Sequence, residues 1–183
     1  MDQFPQSAPN TPQTPRNLHV DEWTFRMVNL MRRAKAGASN FYFIAALSAI
    51  NSIINVFGGS VTFVVGLATT LIIDGFAVGF AKVSPDMALT IKIFGLALSL
   101  GIAGIFALIG YFASKGSRGS FITGMILYAL DALIMLAFQD WLAFAFHLFF
   151  LWGLWNGFSA LNQLRKLNPP TASSDFPQNI GTN

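Results

Sequence analysis

The chain has 183 residues, of which 54% are hydrophobic and only 10% are charged, with 19 Phe and no Cys. An average soluble domain has about 25% charged residues and cannot cover so much apolar surface, whereas lipid solvates it, so the composition indicates an integral membrane protein. The absence of Cys excludes disulfides and Cys-based metal sites, and the net charge of +3 comes from clusters at helix ends, which argues against a nucleic-acid partner.

Residues 1–18 are rich in Pro, Gln, Thr, Ser and Asn, with too few apolar groups to fold, and are expected to form a disordered tail. In residues 19–36 apolar side chains recur every three to four positions between basic ones. This pattern predicts an amphipathic helix on the membrane surface or, equally well, a cytosolic extension of the first span.

Five apolar segments follow, each close to the roughly 20 residues that a membrane span needs. They cover residues 39–57, 61–81, 88–113, 119–138 and 141–163. We therefore expect an all-α polytopic transmembrane bundle of about five spans over residues 37–166, with a second disordered polar tail at 167–183. The second segment is diluted by Thr69, Thr70 and Asp74.

Lys and Arg near the helix ends predict the orientation. The basic residues before the first span place the N-terminus in the cytoplasm of a cell-membrane protein. Five spans then leave a conflict, because they put four basic residues outside: Lys115, Arg118, Arg165 and Lys166. An even number of spans, with the second segment re-entrant, would bring them inside. Five spans are the expectation because the second segment is long enough to cross.

Asp131 and His147 each lie eight residues from Gln139, on opposite sides of a short polar break. In an antiparallel hairpin they share one depth, where a charge costs roughly 2.5 to 3.5 kcal/mol. With five spans Asp74, eight residues before Lys82, joins the same layer. Three such groups predict a proton-relay or cation site. The alternative is that Asp131 and His147 only hold helices together, while Asp74 pairs with Lys82 or a backbone group.

The first span carries a polar face whose members recur at three and four residues: Ser48, Asn51, Ser52 and Asn55. Interhelical hydrogen bonding is its expected role. A hairpin about Gly58-Gly59 would bring Asn51 level with Gly66.

Small residues favour close helix packing in lipid. Gly75-x-x-x-Gly79, Gly153-x-x-x-Gly157 and the glycines of the third segment predict packing inside the monomer or, alternatively, a homo-oligomer. The residues favour no enzyme class, since none of the common catalytic or phosphate-binding motifs is present. No cofactor and no metal is expected.

With these residues in view, the chain resembles a group of small multi-pass bacterial membrane proteins of unknown function. The resemblance spans residues 40–164 and rests on Ala46-Leu47-Ser48-x-x-Asn51-Ser52, Phe63-Val64-Val65-Gly66-Leu67, Lys115-Gly116, Gly124-Met125-x-Leu127-Tyr128-Ala129-Leu130-Asp131, Asp140-Trp141 and Phe146-His147. It implies a location in the lipid bilayer and no particular activity.

Two functions follow from the sequence. In the first, a protonatable centre at Asp131, His147 and Asp74 supports transport, channel-like conduction or sensing, because a carboxylate beside an imidazole favours the imidazolium. In the second, a structural or accessory protein uses the same residues only to stabilise helix packing.

Overall fold

The structure is a computed structural model that describes residues 15–59 and 66–167. It contains five α-helices: α1 (Pro15–Val56), α2 (Ala68–Val83), α3 (Ala88–Ser114), α4 (Arg118–Ala137) and α5 (Trp141–Leu164), with a 3-10 turn at Pro85–Met87. Within this part of the chain four helices, α1, α3, α4 and α5, are long and apolar enough to cross a membrane. The predicted tails at 1–18 and 167–183 fall almost entirely outside the described residues.

The first helix is longer than the sequence pattern predicts. α1 has 42 residues, or about 63 Å at 1.5 Å per residue, twice the roughly 30 Å of a hydrocarbon core. The amphipathic segment at 19–36 and the first span are therefore one continuous helix, which agrees with the extension and not with a separate surface helix. It begins at Pro15.

The turns and caps explain where the later helices begin and end. Gly116 has a φ of 85°, the left-handed conformation that lets α3 end and α4 start two residues later. The side chain of Ser117 accepts from the Ser120 backbone N–H, and that of Asp140 from the Ala143 N–H, so α4 and α5 carry local caps. α2 has none, because Leu67 occupies its cap position.

Contacts between the first three helices fix their directions. Gly110 of α3 packs against Phe41 of α1. Ser99, earlier in α3, binds Thr70 close to the start of α2, and that start is bound by Ser48, which is later in α1 than Phe41. Earlier residues of α3 therefore lie level with later residues of α1, so the two helices are antiparallel. α2 is also antiparallel to α3, because Gly95 packs against its Ala77.

α2 consequently runs parallel to α1 and does not return across the bundle. It starts at the level of Ser48, eight residues or about 12 Å before the end of α1. Its 16 residues lead back toward the end at which α1 finishes. This direction differs from the five-span expectation, in which the second segment returns across the bundle. Hydropathy indicated an apolar segment of sufficient length, but the helix within it begins at Ala68 and has only 16 residues.

The remaining helices complete an up-and-down arrangement. α4 runs with α1, since Gly124 packs against Phe41 and Asp131 lies at the level of Ser48. α5 runs against α1, with Gly157 packed on Gly37. One end of the bundle, called the basic end, holds Lys35, Lys115, Arg118, Arg165 and Lys166. The opposite end holds the α2–α3 and α4–α5 connections.

Small residues set the closest crossing. A Cβ placed on Gly157 would lie 2.5 Å from the Gly37 Cα, so α1 and α5 touch backbone to backbone. Gly153 also packs within the monomer, against Asn40. Four glycines have no described atom within 4 Å of a Cβ position: Gly75, Gly79, Gly101 and Gly104. The predicted homo-oligomer through glycine-rich faces therefore stays a prediction with open faces available to it.

Candidate functional site

The N-terminus of α2 lies in the middle of the bundle and is capped by side chains from two other helices. The Leu67 N–H donates to the Ser48 hydroxyl of α1 at 2.8 Å. The Ala68 and Thr69 N–H groups donate to the two carboxylate oxygens of Asp131 of α4, at 2.7 and 2.9 Å. The first N–H groups of a helix have no partner within it, so α1 and α4 supply what the sequence before α2 lacks.

Asp131 is saturated by this arrangement. Oδ1 accepts from the Thr69 N–H and, at 2.6 Å, from its hydroxyl. Oδ2 accepts from the Ala68 N–H and faces Nε2 of His147 at 3.2 Å. The side chain is only 4% exposed. A carboxylate at a helix N-terminus is favoured by the helix dipole, so the folded structure stabilises Asp131 as the anion.

His147 completes the centre from α5 and is fully buried. Its Nδ1 lies 2.7 Å from the Ala143 carbonyl, and its Nε2 faces Asp131. Each ring nitrogen therefore faces an oxygen that accepts hydrogen bonds, one from a carbonyl and one from a carboxylate. Tyr128 stacks on the ring with centroids 4.8 Å apart and planes 18° apart, which holds the plane of the imidazole.

The structure therefore brings Asp131 and His147 together, as the hairpin predicts. The pair is more than a contact between α4 and α5, because its carboxylate also anchors the start of α2. The His147 ring and the partial positive charge of the helix end face the same carboxylate. This three-part electrostatic unit is called the α2 lock and consists of Asp131, His147, Ala68 and Thr69.

Asp74 does not join this centre. It lies six residues beyond Ala68, about 9 Å further along α2, and the predicted shared layer depended on α2 running in the opposite direction. Its Oδ1 accepts from the Ser99 hydroxyl of α3 at 2.8 Å. Its Oδ2 is buried without a hydrogen-bond partner among the described residues. The side chain is 2% exposed.

The polar face of α1 turns inward as expected. Ser48, Asn51 and Ser52 are buried, whereas Asn55 near the helix end is half-buried. Ser48 donates to the Ile44 carbonyl while it accepts from Leu67. A Cβ on Gly66 would lie 2.5 Å from the Asn51 amide nitrogen, which confirms the predicted alignment of these two residues.

Sequence reasoning missed three participants: Thr69, Ser99 and Tyr128. Thr69 and Thr70 looked like a dilution of an apolar span, although threonines after a glycine are also typical of a helix start. A second signal that α2 does not cross was the placement of four basic residues on the outer side by a five-span topology. Nothing in the spacing pointed to Ser99 or Tyr128, since both depend on contacts between distant helices.

Searches against protein-family models, curated proteins and solved structures gave no match to this chain. Over the described ranges, no group of three or more His, Cys, Asp or Glu is placed to hold a metal ion.

Proposed function

We propose that this is a multi-pass membrane protein in which α1, α3, α4 and α5 cross the bilayer and α2 is re-entrant. Four crossings put both ends of the described chain on one side. The basic end also receives Arg26, Arg32 and Arg33 of α1, whereas the opposite end of the described chain has Lys82 and Lys92. The positive-inside rule therefore assigns the basic end to the cytoplasm.

Within that frame the protein serves in proton- or cation-dependent transport or sensing, with α2 as the moving element. The observation that carries this proposal is the buried start of α2, held by Asp131 from another helix. Irregular backbone at membrane depth occurs where it is buried in protein or lines a water-filled cavity. Helices that begin at the midplane are a feature of transporter binding sites.

The α2 lock responds to protons through its own chemistry. Transfer of the Nε2 proton of His147 to Oδ2 of Asp131 neutralises both groups. The N-terminus of α2 then loses its counter-charge, and its hold on α4 weakens. A solute or an external proton that competes for Asp131 has the same effect. Release of α2 is thereby coupled to the protonation of one carboxyl group.

Flux in proteoliposomes tests the proposal. Vesicles carrying the purified protein should pass protons or monovalent cations faster than empty vesicles, with a pH dependence that Asp131→Asn and His147→Gln alter. Asp140→Asn is the matched control, because Asp140 caps α5 from an exposed position. Flux equal to that of empty vesicles, or wild-type pH dependence in both lock variants, would refute the transport function.

A structural or accessory role is the second candidate, and one observation favours it: every oxygen of Asp131 and both nitrogens of His147 have partners. On this reading the lock only holds α2 in place. The lock variants then lose stability, and the wild type shows no flux. Measuring flux and unfolding on the same preparations separates the two functions.

A further inference from the structure

Asp74 is a buried carboxyl group with no counter-charge among the described residues. One of its oxygens has a single partner, the Ser99 hydroxyl, and the other has none in the described part of the chain. An ionised carboxylate is stable at 2% exposure only when it is paired and fully hydrogen-bonded. The surroundings of Asp74 meet neither requirement.

The charged groups around Asp74 do not neutralise it. Residues 36–56 of α1 contain no ionisable group except the exposed Tyr42. On α3 the nearest cation is Lys92, seven residues before Ser99. On α4 the nearest ionisable group is Asp131, which carries the same sign of charge as an ionised Asp74. On α2 itself Lys82 is exposed and two turns away.

A proton on Asp74 satisfies every donor in the cluster. Asp74 Oδ1–H donates to Ser99 Oγ across the 2.8 Å contact, and the Ser99 O–H donates to the Thr70 carbonyl at 3.5 Å. Without that proton the Ser99 hydroxyl turns to Asp74 and leaves the carbonyl. Protonation of Asp74 therefore changes a hydrogen bond to the backbone of α2, the one that Ser99 donates to the Thr70 carbonyl.

We propose that Asp74 is a proton-binding site inside the bundle, with Ser99 and Thr70 as its hydrogen-bond relay. The inference rests on the proposed transport function and names its coupling ion as the proton. The buried hydroxyl of Ser52 on α1 also has no hydrogen-bond partner among the described residues.

Packing favours a proton over a metal cation at this position. One turn from Ser99 along α3, a Cβ on Gly95 would lie 2.5 Å from the Ala77 Cβ of α2. The two helices are in direct contact there, and a proton needs no cavity. A sodium ion would require several oxygen ligands around an open volume.

Infrared spectroscopy of the full-length protein in lipid tests the site without any transport measurement. At neutral pH exposed carboxyl groups are ionised, so a carboxylic-acid carbonyl band reports a buried protonated acid. We expect this band in the wild type, its loss in Asp74→Asn and its shift to higher frequency in Ser99→Ala. Asp86→Asn, at an exposed carboxylate of the α2–α3 connection, should keep it.

Three outcomes decide the proposal. A band of equal intensity in the wild type and Asp74→Asn overturns it, and so does a band that disappears when sodium replaces choline at fixed pH. If Asp74→Asn does not fold, the Ser99→Ala shift carries the test, and an unshifted band there also overturns the proposal. A band assigned to Asp74 in a protein without flux would remove the transport function alone.

Discussion

Replacing Asp131 by Asn tests the α2 lock with almost no change in volume. The amide offers one accepting oxygen and one donating nitrogen where the carboxylate offers two accepting oxygens. Its oxygen takes the place of Oδ1 and keeps both bonds from Thr69. Its nitrogen then takes the place of Oδ2, where it donates to a neutral His147 but faces the Ala68 N–H, another donor.

The expected cost follows from these contacts. One buried N–H left without an acceptor costs about 1–3 kcal/mol. Loss of the negative charge at the helix N-terminus adds up to about 2 kcal/mol in a buried geometry. We therefore expect Asp131→Asn to lower the free energy of unfolding by about 2–4 kcal/mol. Asp131→Leu, which removes all acceptors and leaves His147 unpaired, should cost more and prevent folding.

Reversible unfolding in mixed detergent micelles measures this quantity. Asp140→Asn is the control, because Asn and Asp are nearly equivalent at an N-cap and the side chain of Asp140 is exposed. A double-mutant cycle with His147→Gln isolates the coupling between the two residues of the lock. If the free energy of unfolding of Asp131→Asn lies within about 0.5 kcal/mol of the wild-type value, the usual range of a surface substitution, Asp131 does not cap α2.

Further predictions concern topology, the second cap and the closest helix crossing. Because the chain has no Cys, single Cys substitutions report topology without background labelling. In intact cells Lys115→Cys should resist an impermeant thiol reagent, and Asp86→Cys should react with it. The reverse result would exclude the four-crossing arrangement. Ser48→Ala removes the acceptor of the Leu67 N–H and should cost about 1–3 kcal/mol in the unfolding assay, where a neutral result would exclude its role as a cap. Gly157→Ala places a methyl group against α1 and should lower the free energy of unfolding by about 1–3 kcal/mol. Gly104→Ala, whose methyl group meets no described atom within 4 Å, should leave it unchanged. Equal effects of the two substitutions would contradict the close contact between α1 and α5.

Local signals predicted those parts of the fold that local contacts determine. The predicted segment 141–163 agrees with α5 to one residue, and the tight turn at Gln139-Asp140 was enough to place Asp131 beside His147. The path of α2 was not predictable in this way. Hydropathy measures how apolar a segment is, but the direction of α2 depends on acceptors from Ser48 and Asp131, which are remote in the sequence.

The candidate site likewise contains one part that local sequence patterns predict and one part that depends on contacts between distant segments. The polar face of α1 and the Asp131–His147 pair follow from periodicity and one hairpin. The relay at Asp74 does not, because Ser99 is 25 residues away and meets Asp74 only when α2 packs antiparallel to α3. An error in the direction of α2 was enough to place Asp74 in the wrong layer.

The external cap of α2 has a consequence for the order in which the protein is built. The Ala68 N–H donates to a carboxylate that lies 63 residues later in the chain and is therefore synthesised later. While ribosomes are still synthesising α4, the start of α2 has no acceptor from it, and lipid provides none. In the proposed membrane arrangement, α2 therefore takes its final position only after α4 has been inserted, so an early segment of the chain is fixed in place by a later one.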